Sequence, residues 1–225
     1  MMPVDRLYVT GTDTGIGKSI ASAALLHALR REGRSAVGMK PVASGCEWID
    51  GSWRNEDALL LQAASAPTPD YADVNPFALP APLAPELAAA QVGVTLSLDP
   101  IRAAFARLQT QADHVVVEGV GGWLAPLSAT LEQVDLVRAL DLPVVMVVGL
   151  RLGCINHARL TQQAIVASGA TLVGWIANDI DPAMACADEN FTILQRCLQV
   201  PCWGRLPHAA SLEPAQLARH LAIPR

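Results

Sequence analysis

The chain has 225 residues, of which 52% are hydrophobic, 16% charged and only 4% aromatic, with a formal net charge of −5. That length suits one α/β domain over residues 1–225, with a core of aliphatic side chains and alanine that favours a parallel sheet wrapped by helices. The acidic balance and the lack of any lysine- or arginine-rich run exclude an electrostatic case for nucleic acid or an anionic membrane surface, leaving open only a local basic cleft around Lys18 and Lys40.

The first strand pattern, residues 7–10, begins so early that a signal peptide has no room. No apolar stretch is long enough and free enough of Gly, Pro and charge to span a bilayer, so a cytoplasmic protein is expected. Next comes Gly11-Thr12-Asp13-Thr14-Gly15-Ile16-Gly17-Lys18-Ser19, and then a helical period over 19–31 with Ala21, Ala24, Leu25 and Leu29 on one side, stopped by Gly33. A glycine-containing turn between strand and helix lets successive N–H groups point inward around an anion. Lys18 adds a point charge toward the β/γ-phosphates, and Ser19 offers a hydroxyl to Mg²⁺. The pattern predicts a phosphate-binding loop. It is one residue longer than the common spacing, which would need glycine where Thr12 stands.

A second strand over 36–39 ends at Lys40-Pro41, and a helix over 55–64 carries Asp57 in its first turn. Proline clusters over 67–85 mark a long irregular stretch. After a helix over 100–111, the run Val115-Val116-Val117-Glu118-Gly119 reads as a buried parallel strand delivering an acid at its C-terminal end. Then follow a strand over 144–148, a helix over 156–168, a strand over 172–177 ending at Asn178-Asp179, a helix over 187–198, a short apolar stretch around Trp203 and a closing helix over 213–221. This alternation predicts a doubly wound, mostly parallel sheet flanked by helices, like that of P-loop NTPases, with its ligand outside the carboxyl ends of the strands. The five cysteines, Cys46, Cys154, Cys186, Cys197 and Cys202, are odd in number and scattered, which fits reduced thiols.

The strand-end side chains are the ones to weigh. Glu118 precedes glycines at 119, 121 and 122 that permit close backbone approach, and it reads better as part of a Mg²⁺ shell than as a solvated acid. Asp57 at a helix start reads equally as a capping or dipole-matching residue, Lys40 as a solvated charge, and Ser44 as an ordinary loop serine. Asn178 either caps a turn with Asp179 or offers its amide to a base edge.

Six blocks narrow these choices. The loop at 11–19, Lys-Pro-Val-Ala-Ser-Gly at 40–45, Arg-Asn-Glu-Asp-Ala at 54–58, Val-Glu-Gly-Val-Gly-Gly-Trp at 117–123, Leu-Gly-Cys-Ile-Asn-His at 152–157 and Gly-Trp-Ile-Ala-Asn-Asp at 174–179 resemble, in order, the dethiobiotin synthetase family. The resemblance implies ATP- and Mg²⁺-dependent closure of a ureido ring from 7,8-diaminononanoate and CO₂, through a carbamate and a carbamic–phosphoric anhydride. By that resemblance Lys18, Lys40 and Thr14 are catalytic. ATP is held by Thr12, Asp13, Gly15, Ile16, Gly17, Lys18, Ser19, Ile20, Asn178 and Pro207, and Mg²⁺ by Ser19, Asp57 and Glu118. The substrate meets Thr14, Lys40, Ser44 and Gly121, with Gly153, Cys154 and Asn156 gripping its carboxylate tail from the neighbouring subunit of a homodimer. Two departures from the family pattern are Gly15, where some members carry an acid, and Asn190, where some relatives place a tyrosine near that tail. The alternatives are a partition or septum-positioning ATPase, against which Asp13 stands where those proteins carry an extra lysine, and a non-catalytic nucleotide-binding module. A glutamine-dependent amidoligase would need a further domain that nothing after Asp179 is long enough to supply.

Overall fold

A computed structural model of the chain describes residues 5–208 and 213–224. In chain order the elements are β1 (Arg6–Gly11), α1 (Lys18–Leu29), β2 (Ala36–Met39), β3 (Val42–Ser44), β4 (Glu47–Ile49), β5 (Ser52–Arg54), α2 (Glu56–Ala64), α3 (Tyr71–Val74), β6 (Phe77–Leu79), α4 (Pro85–Gln91), α5 (Leu98–Gln111), β7 (His114–Gly122), α6 (Gln133–Leu140), β8 (Val144–Leu150), α7 (Cys154–Ala167), β9 (Leu172–Asp179), α8 (Ala187–Cys197), β10 (Cys202–Leu206) and α9 (Pro214–Leu217). Six strands form one sheet in the order β10-β9-β8-β1-β7-β2, every pair parallel.

Burial on both faces explains why these strands read as unbroken apolar runs rather than alternating ones. Successive side chains still point to opposite sides. Tyr8, Val117 and Met146 join the larger core cluster on one face, while Leu7, Val9, Val116 and Val145 join the second cluster beneath α1. The chain leaves β1 for β2 on one side and later crosses to β8 on the other, so β1 lies at the switch point where a crevice opens beyond the strand ends. Gly33, at φ 77°, closes the 3-10 turn that follows α1, where the sequence places the stop.

The irregular stretch expected over 67–85 is corrected by the structure. It holds α3 and β6, and β6 pairs with β3 in a separate two-stranded parallel sheet. Val74, Phe77 and Leu79 are buried there, and the Asn75 amide donates to the carbonyls of Lys40 and Phe77, so prolines that punctuate the segment do not prevent it from packing. The β4–β5 hairpin turns at Asp50 and Gly51, both at positive φ (49° and 79°), the geometry that Asp-Gly favours in a tight hairpin. The closing helix is shorter than expected: α9 spans four residues and passes into a 3-10 turn at Ala218–His220, and the first residue of the expected range, Glu213, is its N-cap. No helix among the described residues is long and apolar enough to cross a membrane.

Candidate active site

Sheet register builds the site. Met39 of β2 pairs with Val117 and Val9 of β1 pairs with Glu118, so the residue that follows Met39, Lys40, arrives beside Glu118 where β2 ends, while β7 continues past the acid to Gly122. Glu118 is fully buried, and one carboxylate oxygen accepts from both Lys40 Nζ at 2.5 Å and Ser19 Oγ at 2.8 Å. The other oxygen, Oε2, is buried without a hydrogen-bond partner. Lys40 also donates to the Gly119 carbonyl at 3.1 Å and stands 3.4 Å from the half-exposed Asp57 carboxylate. Burial pushes the Lys40 ammonium down, but the Glu118 and Asp57 charges outweigh it and hold the group above its ordinary value. Neither the solvated lysine nor the solvated strand-end acid survives as a description.

Asp57 is not the cap of α2. Asn55 is, its side-chain oxygen accepting from the N–H groups of Asp57 and Ala58, which leaves the Asp57 carboxylate free to face Lys40. The same Asn55 donates to the Ser44 carbonyl at 3.2 Å, tying α2 to the end of β3.

The phosphate-binding loop bends as its glycines allow. Gly15 and Gly17 sit at φ 71° and 77°, and Gly17 ends the loop as the N-cap of α1, whose first-turn N–H groups and positive end face the crevice. Lys18 folds back so that Nζ donates to the Asp13 carbonyl at 2.8 Å. Burial, with the Lys40 charge next, brings its ammonium down to about 8 despite the nearby acids. Asp13 itself pairs with Arg151 beyond β8. Ile16 is buried beneath the loop, where a side chain at Gly149 would strike it at 2.8 Å. The Asn178 amide donates to the Ile16 carbonyl at 2.9 Å, so Asn178 holds the loop backbone, a role outside both readings its sequence left open.

A cleft of about 630 Å³ opens over these groups. It gathers Thr14, Gly15, Gly17, Lys18, Ser19, Ile20, Lys40, Ser44, Asp57 and Gly121, with Glu118 behind Lys40. Thr12, Asp13, Ile16, Asn178 and Pro207 do not line it, and neither do Gly153, Cys154 and Asn156 at the start of α7. Ala43, Asn55, Glu56, Leu60, Pro82 and Val120 line it without having been singled out. Asn55 had a legible signal, an amide placed directly before a helix. Pro82 had none, because it reaches the cleft through β6, which the proline pattern concealed.

The donor set suits a hard divalent cation: a hydroxyl, the half-exposed Asp57 carboxylate paired with Lys40, and a buried, unpartnered carboxylate oxygen converge beside a phosphate cradle. Among the described residues no cluster of three or more His, Cys, Asp or Glu side chains is placed to hold a metal alone, so phosphate oxygens and water would complete such a shell.

A family described as an AAA domain matches residues 5–216. The chain is 67% identical over 224 residues to a protein of Xanthomonas oryzae pv. oryzae named ATP-dependent dethiobiotin synthetase BioD, and both chains are covered completely. It is 61% identical over 221 residues to a protein of that name from Xylella fastidiosa, with 98% of each covered. Among solved structures, MinD of Aquifex aeolicus aligns at 15% identity and TM-score 0.56 over 95% of this chain and 87% of that one. A ParA family ATPase of Chlorobium tepidum aligns at 12% identity and TM-score 0.56 over 92% and 86%. These two likenesses concern the fold alone.

Proposed function

The chain belongs to the ATP-dependent dethiobiotin synthetase family, ATP-dependent ligases of biotin biosynthesis, and from that premise we propose how its own residues carry the reaction. The substrates are 7,8-diaminononanoate, CO₂ and ATP. One amine adds to CO₂ and loses a proton to give a carbamate. A carbamate oxygen then attacks the γ-phosphorus as ADP leaves, and the second amine closes the ring on the anhydride carbonyl as phosphate leaves.

The single observation that carries the assignment is the Lys40–Glu118–Ser19 cluster at the mouth of the phosphate-binding loop. Negative charge builds on the carbamate and on the transferring phosphoryl group, and catalysis of such transfers is chiefly positioning plus electrostatic stabilisation. Lys18 and Lys40 bring two ammonium groups to the cleft, Lys40 anchored 2.5 Å from Glu118 and Lys18 resting 2.8 Å from the Asp13 carbonyl, from which it would turn to the phosphates. Thr14 and Gly121 face each other across the opening, since a side chain on Gly121 would come within 3.6 Å of the Thr14 hydroxyl, and with Ser44 they border the place where the reacting amines would lie. Ser19, Asp57 and Glu118 would hold Mg²⁺, which neutralises phosphate charge when bound. Thr12, Asp13, Ile16 and Pro207 would meet ATP along the loop and its flank, and Asn178, whose amide also holds the Ile16 carbonyl, would meet the adenine.

A homodimer accounts for Gly153, Cys154 and Asn156. These residues lie outside this chain's own cleft, beside Leu152, which is 93% exposed. In the proposed dimer a second copy covers this apolar side chain at the start of α7, and the α7 N–H groups would receive the partner's substrate carboxylate.

The test supplies purified protein with diaminononanoate, bicarbonate and MgATP and measures dethiobiotin and phosphate together. Phosphate release that is independent of the diamine would overturn the reading and favour a nucleotide switch.

A further inference from the structure

The glycine segment that follows Glu118 carries Val120 and Gly121 into the cleft, yet glycines alone cannot hold a backbone in place. Pairing on β1 shifts register over this stretch and resumes only at Gly11–Gly122, and what ties the intervening backbone is Gln133, the first residue of α6, whose side chain is fully buried. Its Oε1 accepts from Tyr8 Oη at 2.5 Å and from the Val120 N–H at 3.2 Å. Its Nε2 faces three carbonyls, those of Val120 at 2.9 Å, Gly122 at 2.5 Å and Ala125 at 3.2 Å. Both lone pairs and both N–H groups of one amide are therefore used, and the set of partners fixes which end is oxygen and which nitrogen. Only an uncharged group with this double character satisfies the site.

Tyr8 gives the clamp its second anchor. It lies on β1 three residues before the phosphate-binding loop begins, is fully buried, and packs edge-on against Trp123 at 6.2 Å. Gly119 leaves no space between them, because a side chain there would meet Tyr8 Oη at 2.3 Å and Gln133 Oε1 at 2.4 Å. The Gly119 carbonyl in turn accepts from Lys40.

The geometry points to Gln133, anchored by Tyr8, as a positioning residue that sets residues 119–125 against the phosphate-binding loop and so places Gly121 and the Lys40 ammonium for the reaction. Gln133 touches no reactant. This inference rests on the proposed function only in naming which reaction is positioned.

The experiment compares Gln133→Met, Tyr8→Phe and the double variant with the wild type. Gln133→Met keeps volume while removing every bond of the amide, and it strands the buried Tyr8 hydroxyl. The double variant removes that stranded hydroxyl, so it recovers the part of the thermal stability lost at Tyr8 while leaving the backbone of the segment untethered. Expected for Gln133→Met are a kcat lowered about tenfold or more, a raised KM for the diamine and an unchanged affinity for MgATP, because small misplacements near reacting atoms are costly. The kcat defect persists in the double variant, and amide exchange over 119–125 is faster in both. If turnover returns together with stability in the double variant, or if exchange over 119–125 is unchanged, Gln133 is only a core residue and the inference is overturned. Should the wild type fail to turn over the diamine, the functional reading falls instead, and the exchange measurement still decides the tether.

Discussion

Replacing Lys40 by glutamine separates charge from hydrogen bonding at the centre of the site. The amide can still reach the Glu118 carboxylate that the ammonium now meets at 2.5 Å, but Glu118, fully buried and already missing a partner for Oε2, loses its compensating charge. Removing one member of a buried pair costs about 3–5 kcal/mol, and a retained hydrogen bond to a charged group offsets about 1.5–3 of it, so that mid-range values leave about 2 kcal/mol. For a chain of this size that lowers Tm by roughly 4–8 °C. Activity should fall further than stability, by about 10²–10³ in kcat, the usual cost of deleting a donor aimed at developing negative charge. MgATP affinity should be largely kept, since Lys18 and the loop N–H groups remain. Thermal unfolding, nucleotide titration and diamine-dependent phosphate release at 25 °C measure the three quantities. An unchanged kcat would remove Lys40 from the catalytic set, and an unchanged Tm would refute the claim that the pair is fully desolvated.

Glu118→Ala deletes the unpartnered Oε2, and the Mg²⁺ concentration for half-maximal rate should rise about tenfold or more, read from a metal titration at fixed ATP. Gly17→Ala places a side chain in a left-handed backbone, at about 1–2 kcal/mol, and drives it to 2.2 Å from Asn178 Nδ2, so Kd for MgATP should rise at least about tenfold by calorimetry. Asn55→Ala removes both capping bonds of α2 and the tie to Ser44, which should lower stability by about 1–2 kcal/mol in denaturant titration and raise the Mg²⁺ requirement as Asp57 loosens. Burial pushes the Cys46 thiol up to about 11, so at pH 8 only about one part in a thousand is thiolate. Peptide mapping should therefore find the exposed Cys186 alkylated long before Cys46 in the native protein, with the difference vanishing on unfolding.

The phosphate-binding loop, the alternation of strands and helices and the buried acid of β7 were legible because each rests on local spacing: a glycine turn between two periodic segments, or an apolar run that a parallel sheet must bury on both faces. The strand itself does not end at Glu118 but continues to Gly122. Two local signals were present but unread. Asp50-Gly51 marks the β4–β5 hairpin, and Glu132 with Asp135 forms a capping box at the start of α6. The charge state of the site was not local. Lys40 and Glu118 are 78 residues apart, and only the register of β2 on β7 makes one the counterion of the other, which is why each taken alone reads as a solvated strand end. Asn178 and Gln133 carry the point further, since an amide is compatible with caps, turns, base edges and cores alike. What it does is decided by which backbone groups the tertiary fold leaves unsatisfied beside it, the Ile16 carbonyl for one and the 120–125 segment for the other.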